Sequence, residues 1–145
     1  VELAVLVENM GRIHFGNMVG CDMKGICQDI TFSHQILTGW EMWTLPLDNP
    51  DGRFAFGPAD AALQVPAFHL DEFGFAAPAD TYLKFTGTKG MTWINGHPLG
   101  RYWNIGPGDT LYVPGCYLQP GVNHLVIFET DALGADTVEF TASRV

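Results

Sequence analysis

Basic residues are what this chain has least of. Seven lysines and arginines stand against sixteen aspartates and glutamates in 145 residues, a formal net charge of −9 and a pI near 4.7. Without a basic stripe, nucleic acid and anionic membrane surfaces are excluded as expected partners, because phosphate recognition draws its affinity from Lys and Arg. Cysteine is scarce as well. Cys21, Cys27 and Cys116 cannot all pair with one another, and no Cys-x-x-Cys occurs, which argues against a structural zinc site. Three free thiols are the preferred reading, with one disulfide left open. No apolar run approaches the ~20 residues needed to cross a bilayer, and no signal-peptide pattern opens the chain. No stretch holds the period of a three-turn helix, and there is no internal repeat. Opening on Val1 rather than Met, the chain reads as a processed or excised piece. One domain over residues 1–145 is expected, a length that buries roughly 70% of the surface of the unfolded chain.

Chemical signatures are missing too. His14, His34, His69, His97 and His124 are scattered, with no pair at metal-ligand spacing. There is no Gly-x-Ser-x-Gly elbow. Gly106-Pro107-Gly108 has no following lysine or helix and so is no phosphate loop. Asp48-Asn49-Pro50-Asp51-Gly52 has the oxygen richness of a calcium loop without its spacing, and is expected to be a plain turn. No cofactor and no metal is expected, a structural calcium being left open.

What the chain does have is strands and turns. Met91 to Ile94 is apolar and Asn95-Gly96 follows, the strongest short-range hairpin signal because both residues take φ > 0 cheaply. The return limb carries Leu99 and Gly100-Arg101-Tyr102-Trp103. Strands are expected at Thr110 to Val113 and Asn123 to Glu129, between Pro-Gly turns. Earlier come an apolar run at Val1 to Val7, a hairpin of Ile26–Phe32 with Gln35–Leu37 about Ser33-His34, and a strand from Trp40 to Leu47. Residues 48–66 form a long loop, the least structured stretch and the place for an insertion. Ala67 to Leu70, Thr81 to Phe85 and Val138 to Ala142 complete the set. Roughly nine short strands separated by turn chemistry argue an all-β sandwich or barrel.

Trp93-Ile94-Asn95-Gly96-His97-Pro98-Leu99-Gly100-Arg101-Tyr102-Trp103 and the Asn104–Pro114 continuation carry a resemblance. So do Val126-Ile127-Phe128-Glu129, Val7-Glu8-Asn9-Met10-Gly11-Arg12, Asp22-Met23-Lys24-Gly25-Ile26 and Leu37-Thr38-Gly39-Trp40. Together they resemble the C-terminal β-domains of glycoside hydrolase family 35 β-galactosidases, over about residues 3–129. The resemblance implies an all-β, jelly-roll β-sandwich of the galactose-binding-domain-like type, packed in that family around a catalytic (β/α)8 barrel. It favours an extracytoplasmic setting. It also opens a join between pieces of two sandwiches at the 48–66 loop, although a separate fifty-residue piece would bury too little surface to fold alone. The barrel and its two glutamates have no counterpart in this sequence. A retaining glycosidase needs two carboxyl groups roughly 5 to 5.5 Å apart, and none of the sixteen acids has such a setting. Glu8, Glu41 and Glu129 are expected to be structural, one of them buried against Arg12 or Arg101. No catalytic residue is therefore assigned.

Sugar recognition calls for a flat ring against the C–H face of a pyranose, with charged or amide partners for its hydroxyls. Trp103, Tyr102, Arg101, Arg12, Asn9, Asn95, His97 and Trp40 are the candidates for contact with carbohydrate or with a partner. Tyr102 and Trp103 are placed at a sandwich rim; Trp93 and Trp40 are expected in the core. Three functions compete: an accessory domain of a β-galactosidase that supports the barrel, a free-standing module binding a galactoside or polysaccharide, and a purely structural or interaction domain. The expected partner is thus carbohydrate or a catalytic glycosidase barrel.

Overall fold

The computed structural model describes residues 2–9, 11–58, 65–131 and 138–144. Over these residues the protein is all-β, with nine strands and one 3-10 turn at Gly115–Tyr117. It divides into two compact units, Val1–Thr44 and Leu45–Val145.

The first unit holds a hairpin. Strand β1 (Thr31–Phe32) pairs antiparallel with β2 (Gln35–Ile36). Ser33 and His34 both take positive φ, 48° and 66°, the turn geometry whose twist matches the flanking strands. The Leu37 amide donates to the Ile30 carbonyl at 2.8 Å and extends the pairing. Residues 2–7 and 40–44, expected in strands, are not in strands. Leu3, Val5, Leu6 and Val7 remain 45–55% exposed. An apolar run becomes a strand only where a neighbour completes its ladder and covers its side chains. Within this unit no such neighbour is present among the described residues. Trp40 is 41% exposed and Trp43 87%, so Trp40 is not the core residue expected.

In the second unit two antiparallel sheets face each other. The larger has the order β3 (Ala67–Phe75), β8 (Gly121–Glu129), β5 (Lys89–Ile94), β6 (His97–Trp103); the smaller has β7 (Thr110–Val113), β4 (Thr81–Phe85), β9 (Val138–Thr141). The chain passes repeatedly from one sheet to the other, as in the expected jelly-roll sandwich. Ile94, Tyr102, Leu125 and Ile127 from the larger sheet meet Leu83, Phe85 and Val113 from the smaller in one buried cluster. Val126 and Phe128 point the other way, into a second cluster with Trp93. The run Leu125-Val126-Ile127-Phe128 is continuously apolar because both faces of this strand are covered.

The cover over the outer face comes from residues 47–56. Leu47 and Phe56 pack on the Trp93 cluster, and the Trp93 indole N–H donates to the Leu47 carbonyl at 2.9 Å. Phe54, Phe68 and Phe128 form a stacked column with centroids 4.4 and 4.2 Å apart. Residues 54–58 are irregular in backbone, as expected of a loop, yet anchored by apolar side chains. Residues 59–64 lie outside the described residues. At the opposite side, the Gly115 amide donates to Asp80 Oδ1 at 2.8 Å. That bond, with a second from the Tyr112 hydroxyl, holds the Asp80 carboxyl below its ordinary value and pushes the Tyr112 hydroxyl up. The contact is therefore complete in the neutral range and is lost as pH falls through that lowered value.

Cys21, Cys27 and Cys116 are free thiols, all exposed.

Two glycines set how closely β5 and its approach pack on their neighbours. A Cβ on Gly90 would run into the Phe128 carbonyl and lie 2.6 Å from the Tyr102 hydroxyl oxygen; one on Gly87 would lie 2.7 Å from Glu129 Oε2. Because the Phe128 carbonyl belongs to backbone held in the middle of a sheet, it cannot yield cheaply. Gly90→Ala is expected to cost about 2 kcal/mol or more, about 10 °C in Tm for a unit of this size. Gly57→Ala, where a Cβ meets nothing within 4 Å, is expected to leave thermal unfolding unchanged.

Candidate functional site

The β5–β6 hairpin positions most of the candidate residues. Asn95 (φ 49°) and Gly96 (φ 79°) form its turn. Asn95 uses its whole side chain there: Nδ2 donates to the Tyr117 carbonyl at 2.7 Å and to Asn123 Oδ1 at 2.8 Å, and Oδ1 accepts from the His124 amide at 2.9 Å. Its carboxamide is committed to holding the turn on β8 and on the Gly115–Tyr117 segment. His97 is exposed, its ring stacked on Tyr117 at 4.2 Å and 11°.

Six residues further along, about 20 Å of strand, β6 ends in Arg101-Tyr102-Trp103. Here the alternation of a strand separates the three. Tyr102, expected at the rim, is 3% exposed and lies in the inter-sheet core. Its ring stacks on Phe85 at 4.3 Å and 2°, and its hydroxyl donates to Glu129 Oε2 at 2.8 Å. Glu129 is wholly buried. Its Oε2 also accepts from the Thr88 amide, and its Oε1 from the amides of Lys89, Thr130 and Asp131, each at 3.1 Å. Four backbone amides and a phenol thus converge on this one buried side chain, and a buried acceptor so supplied has its hydrogen-bonding capacity filled. The expected partner of a buried glutamate was an arginine; here the partners are backbone amides and a phenol.

Arg101 and Trp103 turn to the outer face. The Arg101 guanidinium carbon lies 5.1 Å from the centroid of the Trp103 ring, and the Lys89 ammonium lies 4.7 Å from it. Lys89 is the cross-strand partner of Trp103. Trp103 is half-buried and forms one wall of an open groove of about 370 Å3, continued by Asn104, Ile105, Pro107, Asp109 and Arg144. Ile105 is 74% exposed. The groove thus offers an indole, a guanidinium, a carboxylate and an amide.

Asn9, Arg12 and Trp40 belong to the first unit. Arg12 Nη2 donates to Asn9 Oδ1 at 2.8 Å and Nη1 to the Asp22 carbonyl at 3.3 Å, while the Asp22 carboxylate accepts from the Ile13 amide. Arg12 and Asn9 are therefore brought together, on an exposed loop. Trp40 donates its indole N–H to the Leu37 carbonyl at 3.0 Å. In the second unit Arg101 and Trp103 meet, whereas Asn95 and His97 stand at the far end of the same hairpin.

Lys89, Asp109 and Arg144 were not among the sequence candidates. Counting back from the Asn95-Gly96 turn would pair Lys89 with Tyr102, but a bulge shifts the register. Thr92 pairs with Gly100 and Trp93 with Pro98, leaving Leu99 unpaired. That extra residue turns both Leu99 and Tyr102 toward the core. Nothing local in the sequence joins Arg144 to Trp103. Elsewhere, His124 Nδ1 lies 2.8 Å from Asp51 Oδ2 and Nε2 3.5 Å from Glu72 Oε1. The two carboxylates face opposite ring nitrogens and so share no common ligation point. Among the described residues no group of three or more His, Cys, Asp or Glu could hold a metal ion.

Two facing antiparallel sheets with a jelly-roll chain path define the class: an all-β sandwich domain. Comparison with known proteins narrows this. Residues 65–123 match the family described as "Beta-galactosidase, galactose-binding domain", and residues 1–47 match "Beta-galactosidase, first all-beta domain". The chain belongs to the β-galactosidase family, in its β-domain region. Human "Beta-galactosidase-1-like protein 2" is 34% identical over 145 residues, which take in 96% of this chain and 23% of that protein. "Beta-galactosidase" of Xanthomonas manihotis is 42% identical over 112 residues, 77% of this chain and 18% of that protein. Human "Beta-galactosidase" is 39% identical over 153 residues, 89% of this chain and 22% of that protein. The chain thus spans about a fifth of the length of the curated relatives it matches.

Proposed function

We propose that this chain is the accessory β-domain region of a β-galactosidase, non-catalytic in itself, which supports a catalytic barrel and contacts carbohydrate through the Trp103 groove. The observation that carries the reading is the apolar surface of the first unit. Leu3, Val5, Leu6, Val7, Met23 and Trp43 are all at least 45% exposed, and a contiguous exposed apolar surface of that kind is the mark of an interaction site. A catalytic domain of the same family is the partner that fits, since the relatives carry the rest of their length beyond the matched part. The 1–47 and 65–123 matches further support two β-domains contributing to one chain.

Mixing the chain with a catalytic-domain fragment of a relative tests this by light scattering during gel filtration. A one-to-one complex that raises the fragment's Tm is expected; two peaks at the masses of the separate proteins would reject it. The chain alone is expected to show no turnover of a chromogenic galactoside, because its acids lack a catalytic setting and Glu129, the one wholly buried carboxylate among the described residues, is spent on structure. Turnover abolished by a single Glu or Asp substitution would overturn the non-catalytic reading. The groove also supports a second reading, a free-standing carbohydrate-binding module, which predicts glycan binding with no complex.

A further inference from the structure

Positive charge on this protein is concentrated. Lys89, Arg101 and Arg144 are three of its seven basic residues: the first two lie over the Trp103 ring, 4.7 and 5.1 Å from its centroid, and Arg144 lines the groove that Trp103 walls. The guanidinium of Arg144 reaches in beside Gly108, 3.4 Å from where a Cβ there would sit. On a chain of net charge −9 an anion is repelled nearly everywhere, so a neutral ligand gains nothing from gathering cations at one groove. An anionic ligand gains a charge-assisted hydrogen bond from each guanidinium, shorter and stronger than a neutral one. A guanidinium carries five N–H donors, enough to serve the fold and a ligand at once.

We propose that the Trp103 groove binds an anionic saccharide, a sugar bearing a carboxylate or sulfate group. This rests on the carbohydrate-contact reading above and names its substrate class. The acidic group lies toward Arg144, the cation that lines the groove. The sugar ring lies along the indole, and Asp109 and Asn104 accept and donate to its hydroxyls. Asp109 sets a limit as well: its carboxylate disfavours a densely charged polyanion and favours one acidic group per sugar contacted.

The test is calorimetric titration of the intact 145-residue chain with lactose, lactose carrying one sulfate, an oligogalacturonate, and inorganic sulfate. The sulfated lactose or the oligogalacturonate is expected to bind at least about tenfold more tightly than lactose. That margin is expected to vanish in Arg144→Gln and to shrink steeply as NaCl rises from about 0.05 M to about 0.5 M. Arg144 is exposed, so its substitution leaves folding intact, and it separates ligand loss from unfolding where Trp103→Ala would not. Equal affinity for lactose and its charged counterparts would overturn the anionic inference while leaving carbohydrate contact standing. Inorganic sulfate binding as tightly as sulfated lactose would reduce the groove to an anion site and overturn the saccharide. Absence of heat with every glycan would sink this inference and the carbohydrate part of the proposed function together.

Discussion

Glu129→Ala is expected to lower the stability of the second unit by about 4 kcal/mol or more, because it orphans buried donors. Four backbone amides and the Tyr102 hydroxyl aim at this one carboxylate. Each unpaired buried donor costs about 1–3 kcal/mol, offset in part by water entering the space. For a unit of about one hundred residues this corresponds to a Tm fall of about 15 °C or more, at roughly 4–8 °C per kcal/mol. Glu129→Gln keeps the volume but turns an NH2 group toward amides that are donors themselves. An intermediate loss is expected, clearly larger than for a surface carboxylate. Thermal unfolding followed by circular dichroism decides it; a shift below about 3 °C for Glu129→Ala would mean that the amides find other acceptors.

Trp93→Ala is the second large effect. Trp93 is wholly buried beneath Leu47 and Phe56, and its indole N–H holds the Leu47 carbonyl. Truncation removes the largest buried side chain of the outer cluster, a loss of about 3–5 kcal/mol. It also detaches the loop that covers the sheet. Limited proteolysis is therefore expected to cut the variant first within residues 48–58, before the sandwich itself. Trp43→Ala, at a ring that is 87% exposed, should change stability by no more than about 0.5 kcal/mol. Equal Tm values for the two variants would remove Trp93 from its place as the anchor.

Sequence is informative at some of these positions and silent at others. Thr110–Val113 and Thr81–Phe85 form as expected because turn chemistry bounds them on both sides, and the Asn95-Gly96 and Ser33-His34 turns form because their residues tolerate positive φ. Residues 2–7 have an equally good apolar pattern yet form no strand, since a pattern states only which face would be buried, not whether a partner is there. The fate of Tyr102 turns on the Leu99 bulge, a one-residue shift in pairing that no local signal announces. The 48–66 loop is legible from its Asp, Asn, Pro and Gly. Its anchors, Leu47, Phe54 and Phe56, follow no period and so escape a reading by pattern. Within the groove, Arg101 and Trp103 are legible from a cation and a ring two residues apart on one strand. Lys89 and Arg144 reach the same place only through pairing and folding.

The Gly90, Tyr102 and Glu129 contacts depend on one another, so their substitutions will not add. Gly90→Ala pushes on the Tyr102 ring that Glu129 holds. Combined with Glu129→Ala it should cost less than the sum of the two separate losses.

The exposed apolar side chains of the first unit are the feature from which the proposed role follows, the proposed partner being the catalytic domain of a β-galactosidase. Amide hydrogen exchange of the chain, alone and mixed with such a catalytic domain, reads that surface residue by residue. Slowed exchange concentrated in residues 2–43 is expected on mixing, with the Leu125–Phe128 core strand unchanged. Unaltered exchange throughout residues 2–43, at concentrations where both proteins are folded, would contradict it.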